Sequence, residues 1–200
     1  VTIEVFLSGG LPTFSIVGLP ETAVRESKDR VRGAIISSGF TFPQGRITVN
    51  LGPADLKKAG GRFDLPIALG ILAASKFVPM DSLLATEFYG ELGLNGVVHA
   101  VPGTLPAALR AAEAGRAVMV PRANGLEASL SSAEVLLADS LLQVTAHLAG
   151  TACADRLRQS RPQLTPCNAP DMSEVRGQPL ARRAMEVAAA GGHNILLMGP

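Results

Sequence analysis

The chain has 200 residues, 47% apolar and 18% charged, enough apolar material for one good core and the start of a second. Aromatic residues make up only 4%, with one Tyr and no Trp, so the core must rest on Leu, Ile, Val and Ala, which weighs against an aromatic stacking platform for single-stranded nucleic acid. A formal charge of +1 excludes a protein that is basic overall, so a polyanionic partner has to meet a local basic patch.

Val1 opens the chain in what reads as mid-strand, with no basic-then-apolar leader after it, so the natural start is expected upstream. Residues 2–6 and 13–17 alternate like half-buried strands, and the turn-prone Ser8-Gly9-Gly10 between them predicts a hairpin. From 21 to 38 the positions of Ala23, Val24, Val31, Ala34 and Ile35 predict an amphipathic helix stopped by Gly39. Its polar face sets Arg25, Lys28, Arg30 and Arg32 against Glu21, Glu26 and Asp29. Residues 46–51 read as a strand with Ile47, Val49 and Leu51 inward, followed by a polar loop over 52–63.

Residues 65–74 carry no charge and exceed strand length, which predicts a central helix buried on most sides. The apolar run there is about half the ~20 residues a membrane helix needs, so no membrane span is expected. Strands over 88–92 and 97–101 flank Asn95-Gly96, a strong hairpin signal because both residues tolerate positive φ. A helix over 104–114, a short strand over 117–120 ended by Pro121, a strand over 135–137 and a helix over 141–148 complete the pattern. Mixed hairpins and helices predict an α+β fold with a mixed sheet.

From Thr151 to Asp171 the composition changes to proline-punctuated and polar, which reads as an exposed linker. The only cysteines, Cys153 and Cys167, lie here without metal-ligand spacing and suit a reducing cytoplasm. Residues 173–190 then read as an Ala-rich helix and 194–198 as an apolar strand running into Gly199-Pro200. A buried strand ending in Gly-Pro is how a P-loop of pattern G-x-x-x-x-G-K-[ST] begins, and only its first two positions are present.

The segment Ser173-Glu174-Val175-Arg176-Gly177-Gln178, followed by Asn194-Ile195-Leu196-Leu197-Met198-Gly199-Pro200, resembles the opening of AAA+ modules of the magnesium-chelatase and ComM type. Upstream, the block from Gly10 to Pro20, Arg46-Ile47-Thr48-Val49-Asn50-Leu51, Phe63-Asp64-Leu65-Pro66-Ile67 and Gly90-Glu91-Leu92-Gly93-Leu94 resemble successive blocks of the ComM family's N-terminal domain. The resemblance implies a Lon-protease-like domain over 1–150, a linker over 151–170, and the truncated start of an AAA+ α/β ATPase domain over 171–200. It implies that Val175, Arg176, Gly177 and Gln178 lie beside an adenine and that Gly199 and Pro200 open the phosphate loop. ATP and Mg²⁺ are then expected in the parent protein and none bound by this fragment. The parent is expected to be a cytoplasmic, hexameric, helicase-like ring acting on branched or single-stranded DNA in recombination and natural transformation.

The Lon-like peptidase uses a Ser-Lys dyad, and matching its blocks puts Asp64 at the serine position and Pro106 at the lysine position. No catalytic residue is therefore expected. No metal site is expected either: His99, His147 and His193 are isolated, and Asp55, Asp64, Glu87 and Glu91 sit on different elements, with Asp64 a candidate helix cap. The candidate DNA contacts are Arg46, Lys57, Lys58 and Arg62 around Ala59-Gly60-Gly61, with ordinary solvated charges as the alternative. Two other readings stay open: a chelatase-type motor for metal insertion into tetrapyrroles, and a non-catalytic protein-recruitment domain. An N-terminal domain before the ATPase is expected to favour the ComM type, on the reasoning that the chelatase subunit resembles this sequence only in its ATPase part.

Overall fold

The computed structural model describes residues 1–159 and 171–199, which fall into two compact units that part within the undescribed stretch. In the first, β1 (Thr2–Ser8), β2 (Thr13–Val17) and β3 (Arg46–Gly52) form a three-stranded sheet in the order β1-β3-β2. The hairpin expected between β1 and β2 does not form: β3 lies between them, antiparallel to β1 and parallel to β2. Its fully buried Ile47, Val49 and Leu51 suit the central place, where both neighbours supply ladder bonds. The connection from Ser8 to Thr13 then spans two strand spacings, about 10 Å, which its four residues reach and a two-residue turn does not.

On the core face of this sheet lie α1 (Thr22–Ser37) and α2 (Asp64–Ala74). The first buries Val24, Ser27, Val31, Ala34 and Ile35, a stripe at helical spacing. The second buries Asp64, Leu65, Ile67, Ala68, Leu69, Ile71, Leu72 and Ala73, as its uncharged composition predicts.

The strand expected over 88–92 divides at Tyr89-Gly90. β4 (Thr86–Phe88) joins a four-stranded sheet, while β5 (Glu91–Leu92) pairs with β6 (Val98–His99) around Asn95-Gly96. The larger sheet runs β4-β7-β8-β9, with β7 (Ala117–Pro121) and β8 (Val135–Ala138) parallel to β4 and β9 (Arg156–Leu157) antiparallel. Mixed sheets within an α/β arrangement agree with the expected class at that level. Helices α3 (Thr104–Glu113), α4 (Gly125–Ala128) and α5 (Leu141–Leu148) complete this unit, with Ala108, Ala111, Val118, Val120, Val135 and Leu137 forming a second core cluster.

Within residues 151–159, expected to begin a linker, Arg156–Leu157 instead form the edge strand β9 of the sheet. Leu137 N–H donates to the Asp155 carbonyl at 2.9 Å, Ala154 is buried with its N–H on His147 Nδ1 at 3.2 Å, and Asp155 ion-pairs with Arg122 at 2.6 Å. The polar composition concealed a short edge strand held largely by backbone bonds. Residues 160–170, including Cys167, lie outside the described residues.

The start of α3 is capped from α4: Glu127 accepts from Thr104 Oγ1 at 2.5 Å and from Leu105 N–H at 3.1 Å. The Thr104 hydroxyl, then the Leu105 amide, hold the Glu127 carboxyl below its ordinary range. A carboxylate depressed by folding contributes stability above its unfolded pKa and loses it as pH falls through the folded value. Below about pH 4, Glu127→Gln is expected to show a shallower loss of stability than the natural sequence in acid titration followed by circular dichroism. Equal slopes would sink this account of the cap.

In the second unit a 3-10 turn at Met172–Glu174 precedes α6 (Pro179–Gly191). The helix expected from 173 starts later because Gly177 (φ 68°) and Gln178 (φ 52°) adopt left-handed backbone, after which Pro179 suits the first helical turn. Residues 194–198 do not form the expected strand; Leu196 and Met198 are exposed, and no neighbouring strand offers them a ladder among the described residues. No described helix is long and apolar enough to cross a membrane.

Candidate functional site

The most constrained polar centre of the first unit surrounds Asp64, which is 0% exposed. Its Oδ1 accepts from the Ser27 hydroxyl and from Arg30 Nη2 at 3.1 Å. Oδ2 accepts from Arg30 Nε at 2.6 Å and from the Leu92 N–H at 3.2 Å. Arg30 Nη2 also reaches the Ser27 Oγ at 3.2 Å and the Ala23 carbonyl at 3.0 Å. The bond to Asp64 drives the Arg30 guanidinium further into its protonated form, and the nearby charges of Glu91 and Glu26 add to this.

Backbone bonds place these groups. Leu65 N–H donates to the Gly90 carbonyl at 3.1 Å and Gly90 N–H to the Arg62 carbonyl at 3.3 Å, so the start of α2 is tied beside β5. The Glu91 carboxylate lies where a Cβ on Gly61 would stand. Asp64 does not cap α2; it is the first helical residue, and its side chain turns toward α1 and β5. Asp64 and Glu91, which share no signal in the sequence, both face Arg30. Ser27 escaped sequence reading although it carries a signal: with Val24 and Val31 it lies on the apolar stripe of α1, where a polar side chain needs a buried partner.

Asp64 cannot act as a nucleophile or base in this state, since four donors occupy its oxygens. Pro106, at the position matched to the lysine, is exposed on α3 and carries no amine. Among the described residues no cluster of three or more His, Cys, Asp or Glu is arranged to hold a metal ion.

The four basic candidates do not form one patch. Arg46 is exposed at the start of β3 and Lys57 is exposed in the loop beyond its other end; the strand between separates them by about 20 Å. Lys58 is 1% exposed and donates its Nζ to the Pro53 carbonyl. Its backbone pairs with the turn after β2, N–H to Leu19 O at 3.4 Å and C=O from Glu21 N–H at 3.0 Å. Lys58 therefore staples the loop and offers no charge to a partner, so its place among the surface contacts is corrected. Arg62 is half-buried with its guanidinium beside Gly103 and Tyr89.

In the second unit Val175 is half-buried, and Arg182 Nη1 approaches its carbonyl at 3.4 Å. Arg176, Gly177 and Gln178 are exposed just before α6, Gly199 is exposed at the end of the following segment, and Pro200 lies outside the described residues. The 200 residues hold no complete G-x-x-x-x-G-K-[ST] pattern.

Fold and site together define a mixed α/β protein whose buried helix-start carboxylate is paired with Arg30 inside the first unit. Comparison with known proteins narrows this class. The family model described as subunit ChlI of Mg-chelatase matches residues 3–124, and a second, magnesium chelatase subunit ChlI, matches 171–200. The chain is 47% identical over its whole length to YifB of Salmonella typhimurium and 45% identical to YifB of Escherichia coli, both described as uncharacterized. It is also 45% identical over its whole length to competence protein ComM of Haemophilus influenzae. The chain belongs to the magnesium-chelatase ChlI-like family and is of the ComM/YifB type. It spans 40% of the length of these relatives. A ChlI model matching residues 3–124 also removes the expected distinction by which chelatase likeness was confined to the ATPase part.

Proposed function

We propose that this chain is the N-terminal part of a ring-forming, ATP-driven motor of the ComM type that acts on branched DNA in recombination and transformation. The observation that carries this reading is the 45% identity to a competence protein, continuous across both units. In this reading residues 1–150 form a Lon-like domain that has no peptidase chemistry and helps engage DNA or organise a hexameric ring in the cytoplasm. Residues 160–170 connect it, through the edge strand β9 that ends the first unit, to an AAA+ domain beginning at 171, with Val175, Arg176, Gly177 and Gln178 beside the adenine and Gly199-Pro200 opening the phosphate loop. ATP supplies the free energy for movement and Mg²⁺ neutralises its phosphates; this chain's own residues position the base only. The exposed apolar segment 194–198 becomes a buried strand once the remaining sheet supplies ladder partners.

The test has two arms. The 200-residue chain is expected to show no micromolar affinity for ATP, whereas the full-length protein hydrolyses ATP faster when branched DNA is added. Hydrolysis indifferent to every DNA structure would overturn the DNA reading. Because both matching family models are named for the chelatase subunit, a chelatase-type motor is the second reading, and ATPase stimulation by a tetrapyrrole-binding partner instead of DNA would select it.

A further inference from the structure

The chain contains two Asn-Gly pairs, Asn95-Gly96 and Asn124-Gly125. Both carry the same latent reaction, because a glycine has no Cβ to shield its nitrogen and that nitrogen can attack the side-chain amide carbon of the asparagine before it. The N–Cγ bond forms, the Cγ–Nδ2 bond breaks and ammonia leaves, which gives a five-membered succinimide. Water then opens one of the two ring carbonyls, so the product is aspartate or isoaspartate. The chain gains one negative charge and nothing is oxidised or reduced.

The fold treats the two pairs differently. Asn124 is 8% exposed, and its amide is engaged on both sides: Oδ1 accepts from Val101 N–H at 2.9 Å, while Nδ2 donates to the Val101 carbonyl at 2.9 Å and to Glu127 Oε2 at 3.3 Å. Turning that side chain onto Gly125 would break three bonds in a buried setting. Asn95 is exposed at the turn between β5 and β6, and among the described residues its side chain makes one hydrogen bond, from Val97 N–H to Oδ1 at 3.2 Å. Here the attacking nitrogen is what the fold restrains. Gly96 N–H donates to the Gly93 carbonyl at 2.9 Å and the Gly96 carbonyl accepts from Leu141 N–H at 2.8 Å. Gly96, at φ +82°, also lies against the end of α1, where a Cβ would stand 2.6 Å from Ser38 Oγ. Its nitrogen is free to attack only when the tip of the hairpin opens away from α1 and α5.

The structure assigns Asn95 as a covalent modification site of the first unit, deamidated from a locally opened hairpin while Asn124 stays shielded. The two products differ in what they do to the fold. Aspartate keeps an oxygen for the Val97 N–H and leaves the turn intact. Isoaspartate routes the main chain through the former side chain and lengthens it by one methylene, so the bonds of Gly96 to Gly93 and to Leu141 no longer fit together. The strain falls on β5, whose Leu92 N–H is one of the four donors to Asp64. An isoaspartate at 95 therefore marks a chain whose hairpin has been open, and it weakens the buried network beneath.

The test follows the full-length protein in mildly alkaline buffer, folded or unfolded in urea, by peptide mapping that separates asparaginyl, aspartyl and isoaspartyl forms. In urea the two asparagines are expected to convert at similar rates, since both precede glycine and neither is held. In the folded protein Asn95 is expected to convert at least about tenfold slower than in urea, the factor set by an opening cost of about 1.4 kcal/mol, and Asn124 slower again. Asn95→Gln, whose longer side chain does not close the five-membered ring, stays unmodified at that position in both conditions. Freshly prepared Asn95→Asp matches the thermal midpoint of the natural protein, whereas the isoaspartyl fraction that accumulates on prolonged incubation unfolds at a lower temperature. Equal rates for Asn95 in folded and unfolded protein, Asn124 converting before Asn95 in the folded protein, or no conversion in urea would each overturn the assignment. Isoaspartyl protein as stable as the natural chain would overturn its effect on β5.

Discussion

Asp64→Ala is expected to lower the unfolding free energy of the first unit by about 3–5 kcal/mol, the usual cost of removing one member of a buried ion pair. Total stability for a domain of this size is about 5–15 kcal/mol, so the variant is expected to be marginal near physiological temperature. The loss combines several terms: Arg30 keeps its charge without its partner, the Ser27 hydroxyl loses an acceptor, and the Leu92 N–H is left unsatisfied in the core. The side chain of Arg30 is 23% exposed and can recover some water, which places the effect toward the lower end of that range. Asp64→Asn keeps one acceptor oxygen, which serves either Ser27 or Leu92 but not both, and should lie between the two proteins. Urea unfolding followed by circular dichroism measures the series, and Asp64→Ala within about 1 kcal/mol of the natural protein would show that the network contributes little. In the Lon-like reading proposed above, Asp64→Ser places a hydroxyl at the matched nucleophile position, yet no peptide cleavage is expected because Pro106 supplies no base.

Elements with strong internal periodicity were legible in the sequence. The uncharged run of α2, the alternation of β3 and the Asn95-Gly96 hairpin each follow from local pattern, because each is set by which face must leave water. Pairing was not legible. Nothing in Ser8-Gly9-Gly10 reveals that β3 enters between β1 and β2, since strand order depends on contacts some 40 residues apart. β9 was concealed for a related reason: two residues bonded to β8 leave no periodic trace in a polar segment. The candidate site divides in the same way. That Asp64 carries no hydroxyl or thiol is a matter of residue type and could be read from the sequence, whereas its four donors come from α1 and β5 and could not. Sequence proximity joined Lys57, Lys58 and Arg62 into one patch; the fold buries Lys58 and leaves Arg46 at the far end of β3. Arg32 stood among helix charges balanced by Glu26 and Asp29, and only the tertiary approach of Phe42 gives it a distinct setting.

Gly18→Ala is expected to destabilise the first unit by at least about 3 kcal/mol, because two independent costs coincide. The φ of Gly18 is +100°, a region closed to L side chains. A Cβ there would also run into the backbone carbonyl of Leu51 in the adjacent β3, where no flexible side chain can yield. Relief requires the end of β2 to move away from β3, and that motion pulls on the following turn. Leu19, at φ +53°, and Glu21 hold the backbone of Lys58 through two hydrogen bonds, and the buried Lys58 amine in turn fixes the loop at Pro53. A shift at Gly18 is therefore expected to loosen residues 52–60, with the exposed Lys57, before it disturbs α2. Hydrogen exchange read by peptide mass should rise first over 52–60 in Gly18→Ala, with the thermal midpoint falling by several degrees. Gly9→Ala is the matched control, a glycine with open space and no positive φ, and is expected to leave both measurements unchanged. A Gly18→Ala protein as stable as Gly9→Ala would mean that the β2–β3 approach is slack and that the loop is held by something other than the Leu19–Lys58–Glu21 pairing.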